Sequence, residues 1–219
     1  MMIKADLHTH TRFSPDSATP PEKLVARCIR RGLDCIAVTD HNTVKGAMAV
    51  KEMSPFTVIV GEEIKTTGGD IIGLFLQEVV PPGLSPQAAA EHVKAQGGLV
   101  SIPHPFDRFR GSALRSEALE EVLPLADIVE GFNARNALGS ADRRAMALAN
   151  EHKLAICAVS DAHAAFEVGR TYVLMPEFDG TAQGFLACLR QGNMVTHRSS
   201  PLVHVITTCQ KLKKRLLRR

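Results

Sequence analysis

Residues 3–42 read IKADLHTHTRFSPDSATPPEKLVARCIRRGLDCIAVTDHN, and this stretch sets the fold expectation. Residues 3–7 (IKADL) read as a first strand. Leu24, Val25, Cys28 and Ile29 then recur at helical spacing, and residues 33–39 (LDCIAVT) read as a second strand. Thr19-Pro-Pro-Glu22 predicts a capping box with proline in the first turn, and Gly32 a left-handed stop. Near-continuous apolar strands joined through a helix are the signature of a parallel sheet covered by helices. Both strands also end in chemistry-bearing residues: His8 and His10 after the first, Asp40 and His41 after the second.

The same alternation extends along the chain. Further strands are predicted at 56–64, 71–76, 99–103, 127–132 and 154–160, with a short eighth at 170–175. Helices are predicted at 43–53, 86–96, 115–123, 141–152 and 182–191. Seven or eight strand–helix units point to closure into a β/α barrel, with an open doubly wound sheet as the rival. No internal repeat or linker interrupts them, so residues 1–208 are expected to form one domain, followed by a basic tail at 209–219.

Composition narrows the function classes. In 219 residues, 45% hydrophobic and 22% charged, there is too much core for a largely disordered chain. The net charge of +3 misleads, because residues 211–219 (KLKKRLLRR) hold six positive charges and leave a slightly acidic body. A nucleic-acid-binding body is therefore not favoured, and the absence of Trp thins any base-stacking surface. The tail itself suits either a solvated, frayed helix end or contact with anionic lipid or nucleic acid. Five cysteines without a CxxC pair read as reduced thiols, and with no apolar run of about 20 residues the expectation is a cytoplasmic protein.

Polar residues recur at the later strand ends too. Glu62 and Glu63 end the third strand, His104 the fifth, Asn133 the sixth, and Asp161 and His163 the seventh. One histidine at a strand end is ordinarily a hydrogen-bonded structural residue; repetition around a whole barrel is not. In a parallel barrel these ends converge on one face, where active sites sit. Residues i and i+2 of an extended chain point to one side, so His8/His10 and Asp161/His163 each aim at a shared region. Imidazole and carboxylate without thiolate suit Zn²⁺, Mn²⁺ or Fe²⁺. So many ligands exceed one closed site and imply two or three divalent ions with a bridging acid.

Together these residues resemble the polymerase and histidinol phosphatase (PHP) superfamily of metal-dependent phosphoesterases. Its motifs stand in order as DLHTHTRFSPDS at 6–17, AVTDHN at 37–42, VGEEIKTTGGDIIGL at 60–74, SIPHPFD at 101–107, VEGFNAR at 129–135 and SDAH at 160–163. The resemblance implies a distorted seven-stranded β/α barrel with its metal site at the C-terminal ends of the strands. It implies one ion held by His8, His10, Glu63 and Asp161. Glu63 would bridge to a second ion that takes His104 and a contact near Asn133, and a third would take Asp16, His41 and His163. Histidines common in the family are replaced by Asp16 and Asn133, and one near residues 70–73 is missing. The second site is thus expected to be poorer in imidazole, favouring two ions or manganese-like ions.

The implied activity is hydrolysis of a phosphate ester of a small metabolite or nucleotide by a metal-activated hydroxide. Asp161 is a candidate to accept the proton and His163 to protonate the leaving group. Arg135 and Arg170 are candidate phosphate contacts because the guanidinium fork donates two parallel hydrogen bonds, with Arg108 and Arg110 behind them. The alternatives are a 3′–5′ exonuclease or nucleotidase acting on nucleic-acid ends, a non-catalytic metal-binding module, and a C–N hydrolase using the same dinuclear chemistry.

Overall fold

The computed structural model describes residues 1–217, so Arg218 and Arg219 of the expected tail lie outside the described residues. Nine strands form one sheet: β1 (Met2–Thr9), β2 (Cys35–Val38), β3 (Thr57–Thr66), β4 (Gly69–Leu74), β5 (Leu99–Ile102), β6 (Ile128–Asn133), β7 (Ala155–Val159), β8 (Tyr172–Pro176) and β9 (Asn193–Val195). The helices are α1 (Pro21–Arg31), α2 (Lys45–Met53), α3 (Pro86–Ala95), α4 (Ser116–Val122), α5 (Gly139–His152), α6 (Ala182–Leu189) and α7 (Leu202–Leu217). None is long and apolar enough to cross a membrane among the described residues.

The sheet runs in the order β7-β6-β5-β4-β3-β2-β1-β8-β9. Its free edge at β7 curls back to the end of β1, where His10 N–H donates to the Ala162 carbonyl (2.9 Å) and Ala162 N–H to the His8 carbonyl (3.3 Å). The result is a nearly closed barrel of β1 to β7, with β8 and β9 continuing the sheet beside β1. Alternation along the strands then sorts the core. Cys35, Ala37 and Ile59 face the interior with Ile72, Leu99 and Ile128, and α6 adds Phe185 and Leu189. Ile36, Val38, Val58 and Val60 face out and are covered by Leu24, Val25 and Cys28 of α1.

Three expectations are corrected. The sheet is not parallel throughout: β1, β2 and β3 run together and so do β5, β6 and β7, but β4 is antiparallel to both neighbours. Only Thr67 and Gly68 separate β3 from β4, which is enough for a hairpin and far too short for a crossover. Gly69 makes that reversal at φ 129°, where an added Cβ would stand 2.6 Å from Leu114 Cα. β8 is likewise antiparallel to β1. Secondly, Thr19 caps nothing: α1 starts after Pro20 with no side-chain cap, and the Thr19 hydroxyl donates to the His163 carbonyl at 3.3 Å. Two prolines at the helix entry have already removed donors that a cap would satisfy. Gly32 does end α1 in the left-handed conformation, φ 62°.

The third correction concerns the tail. Rather than fraying into solvent, residues 211–217 complete α7, which lies over the mouth of the barrel. Lys211 Nζ is 3.2 Å from Asp16 Oδ2, and Lys214 Nζ donates to the Arg12 carbonyl at 2.7 Å and to that of Ser14.

Candidate metal centre

β1 is irregular between Asp6 and Thr9. Leu7 packs in the interior, and His8 beside it also turns inward, so the break in pairing is where the site begins. His8 Nε2 and His10 Nε2 lie 3.0 Å apart. Glu63, near the end of β3, presents Oε2 to His8, His10 and His41 at 3.2, 3.4 and 3.4 Å and Oε1 to His104 at 3.1 Å. Asp161 Oδ1 lies 3.7 Å from His8 Nε2 and 3.6 Å from His10 Nε2. On the far side, Asp16 Oδ2 meets His41 Nε2 at 3.2 Å and His163 Nε2 at 3.3 Å. All eight residues named from the sequence as ligands thus converge. Glu62 turns the other way and accepts from Val80 N–H at 2.9 Å.

Strand ends alone do not bring these atoms together. His104 and Asp161 adopt left-handed backbone, φ 32° and 51°, just past β5 and β7. Such conformations are uncommon outside glycine, persist only where surroundings enforce them, and cluster at functional sites.

The cluster fits divalent cations. Two donors about 2.1 Å from one ion stand about 3.0–3.4 Å apart at right to tetrahedral angles, close to the separations found here. Asp161 Oδ1 is buried with no hydrogen-bond partner among the described residues. The electrostatics say the same. Burial resists charge on Glu63, yet His41 and His8 hold its carboxyl well below the usual range. Burial likewise resists charge on Asp161, but Arg110 and His8 keep it ionised. Against its own burial, the His8 imidazole is driven well above its ordinary value by Asp161, Glu130 and Glu63. His163 goes the opposite way, down to about 3, through burial and the neighbouring His10. Buried acids here call for positive charge, which protonated imidazoles and Arg110 supply in the absence of ions.

Two residues of this cluster escaped the sequence reading. Glu130, in the middle of β6, accepts from His8 Nδ1 at 2.6 Å with one oxygen, and from His104 N–H (2.7 Å) and Asn133 Nδ2 (2.8 Å) with the other. A carboxylate behind a ligand imidazole fixes its tautomer and raises its basicity. A lone glutamate inside the apolar run DIVEGF was the available signal. Asp70 is the second: it forms a convergent group with His41 and Glu63.

The expected substrate contacts fare differently. Asn133 is buried and its amide donates to Glu130 and to Asp161 (3.1 Å), so it orients carboxylates. Arg135 borders the cavity, but its guanidinium fastens α7, donating to the Val203 carbonyl (3.1 Å) and Thr207 Oγ1 (2.6 Å). Arg170 is exposed and does not line the cavity. The preceding segment is tied outside the barrel to α1, through Arg27 Nε to the Val168 carbonyl and Arg31 Nε to that of Gly169. Arg108 is exposed, whereas Arg110 reaches in, with Nη1 2.5 Å from Asp161 Oδ2. Over the cluster opens a cavity of about 770 Å³, whose walls carry Lys65, Arg110, Arg115 and Lys211.

Comparison with known proteins agrees with this geometry. The PHP domain model matches residues 6–74, which carry His8, His10, Asp16, His41 and Glu63, and the PHP-associated model matches residues 139–194. The chain belongs to the PHP family. An uncharacterised protein of Methanocaldococcus jannaschii is 36% identical over 180 residues, 81% of this chain and 72% of that relative. Among solved structures, PsfC of Pseudomonas syringae superposes with a TM-score of 0.71 at 18% identity, covering 97% of this chain and 98% of its own. A Bifidobacterium adolescentis protein described as a candidate metal-dependent phosphoesterase gives 0.62 at 17% identity, over 74% and 88%. At those identities the structural likeness establishes this PHP chain's barrel.

Proposed function

We propose that this PHP protein is a metal-dependent phosphoesterase that hydrolyses a phosphate ester of a small metabolite or nucleotide. One observation carries the reading: Glu63 is shared among four imidazoles at 3.1–3.4 Å, at the floor of a cavity walled by cations. The description of the Bifidobacterium neighbour points the same way. Bound divalent ions, as two or three of Mn²⁺, Zn²⁺ or Fe²⁺, would supply an acidified water and neutralise charge on the phosphoryl oxygens.

The chain's own residues do the rest. His8, His10, Asp16, His41, Glu63, His104, Asp161 and His163 are the proposed ligands. Arg110 and Lys211 are close enough to Asp161 and Asp16 to exchange those carboxylates for substrate phosphate once ions neutralise the acids. Asp161, ionised and with one oxygen unpartnered, is the proposed proton acceptor; Arg110 and His8 hold its carboxyl low, so it becomes an effective base only once substrate or ions change that environment. His163 Nδ1 lies 2.9 Å from the Asp161 carbonyl, which favours a proton on Nδ1 and leaves Nε2 toward Asp16. Its depressed pKa makes it a poor resting acid, so leaving-group protonation by His163 requires substrate or ions to change that environment. With ions bound, Lys65, Arg110, Arg115 and Lys211 would make the crater locally positive despite the acidic body, which suits a small anionic substrate.

The test is metal analysis of the purified protein beside phosphate release over phosphorylated metabolites and nucleotides, with His10→Ala and Asp161→Asn in parallel. Release that needs a divalent ion and falls by a hundredfold or more in both variants is expected. No release with any divalent ion refutes the reading. A nucleic-acid end is the second reading, favoured by Lys211 and Lys214 at the rim on α7. It expects salt-sensitive oligonucleotide binding that disappears on removing residues 211–219.

A further inference from the structure

Asp70 opens β4 just after the hairpin. In the β3–β4 ladder Glu63 pairs with Ile72 and Lys65 with Asp70, so Asp70, two residues from Ile72, lies on the same face as Glu63. Diagonal neighbours of this kind are within side-chain reach. Its carboxylate, the Glu63 carboxylate and His41 each offer a ligand atom within 4.8 Å of the others. Asp70 is only 4% exposed and lines the cavity, yet among the described residues no hydrogen bond or ion pair reaches its side-chain oxygens.

That combination is unfavourable for the metal-free chain. A carboxylate that reaches only the cavity surface keeps little of its hydration, and without a partner it gains nothing in return. Meanwhile Asn133, the contact expected beside Glu63, is fully engaged: Nδ2 donates to Glu130 and Asp161, and Oδ1 accepts from Arg135 N–H at 2.9 Å. The Glu63 bridge is short of a donor where Asn133 was expected, and Asp70 has a donor to give.

We propose that Asp70 is a direct ligand, through its carboxylate, of a divalent ion that it shares with Glu63 and His41. A carboxylate in this position shifts the donor set toward oxygen and so toward Mn²⁺ rather than Zn²⁺. The inference rests on the metal-dependent reading of the site, but its test needs no substrate. Chelator-stripped protein, wild type and Asp70→Asn, is titrated with Mn²⁺, reading bound ions per chain by equilibrium dialysis and elemental analysis.

Asp70→Asn is expected to lose one ion per chain, or to weaken that class at least tenfold, while the remaining ions bind as before. Asp70→Glu, which keeps the charge, is expected to retain the ion count. Thermal melts without metal give a readout that a merely structural role would reverse. Removing an unpartnered charge beside Glu63 should leave the Asp70→Asn melting temperature equal to the wild-type value or higher. Unchanged stoichiometry and affinity in Asp70→Asn overturns the proposal, and so does a variant pair that both lose the ion or a metal-free Asp70→Asn that melts well below wild type. Metal bound normally by wild type with no phosphate released from any substrate would instead overturn the proposed function and leave this inference standing.

Discussion

The sharpest test of the centre is a residue that does not line its cavity. Glu130 accepts with one oxygen from His8 Nδ1 (2.6 Å) and with the other from His104 N–H and Asn133 Nδ2 (2.7 and 2.8 Å). Glu130→Gln changes no volume but makes one oxygen an NH2. Placed toward His104 and Asn133, the NH2 would confront two donors, so the amide must turn its oxygen there and its NH2 toward His8. His8 Nδ1 must then accept, which moves the imidazole proton to Nε2. Nε2 is the nitrogen that faces His10, Glu63 and Asp161 and that a cation needs unprotonated. Losing such a supporting carboxylate typically weakens metal binding about 10–100-fold, roughly 1.4–2.7 kcal/mol. Metal titration of the stripped variant should show that loss, with circular dichroism and melting temperature close to wild type. Wild-type affinity in Glu130→Gln would refute the tautomer argument and with it the assignment of His8 Nε2 as a ligand atom.

Three further outcomes are expected. Gly46→Ala puts a Cβ 1.8 Å from Asp40 Oδ2 and 2.4 Å from Thr11 Oγ1, breaking the two 2.6 Å bonds from Thr11 to Asp40 that fix the loop leading to Asp16. Overpacking of this kind destabilises by about 1–3 kcal/mol, so a thermal melt should fall by roughly 3–10 °C; an unchanged melt refutes it. In metal-free protein, burial resists charge on His41, but Glu63 and Asp16 lift its pKa to about 9. That raised value stabilises the metal-free fold fully below the unfolded pKa of about 6.5, and the contribution is lost as pH rises through about 9. An incoming ion must expel the proton, so affinity should climb by up to about tenfold per pH unit across this window, and a flat profile contradicts the assignment. Finally, Cys28, Cys35 and Cys157 are buried and Cys209 is exposed. A thiol reagent on the native protein should modify Cys209 first and the buried three only on unfolding, with burial holding Cys28 near 12.

How much of this was legible in the sequence depends on which interactions set each feature. Strand positions, and the placing of His8, His10, Glu63 and Asp161 at strand ends, follow from local pattern, because apolar runs and the residues that end them are contiguous. The direction of β4 was also local, in the shortness of the TTGG turn, but was overruled by the expectation of uniform strand–helix units. Glu130 and Asp70 were harder, since each is defined by what lies across the barrel: a glutamate in DIVEGF becomes meaningful only when β1 sets His8 against it.

α7 shows why pattern reading fails at a site. Leu202, Val205, Cys209, Leu212 and Leu216 recur at three- and four-residue spacing, an apolar stripe that ordinarily faces the core. Here Leu202, Val205, Leu212 and Leu216 are 69%, 59%, 56% and 72% exposed, while His204, Thr207 and Lys211 on another face line the cavity. The surface beneath the helix explains the inversion. It is a crater of carboxylates and imidazoles, and only polar side chains can meet it without stranding buried charge. Arg135 holds α7 there through Val203 and Thr207, and His204 Nε2 lies 3.1 Å from the Arg135 carbonyl. A helix packed polar side down, with Val203 its one buried apolar side chain among those described, has little hydrophobic reason to stay where it is. Its attachment is electrostatic and hydrogen-bonded, so it belongs to the site beneath it rather than to the core of the barrel.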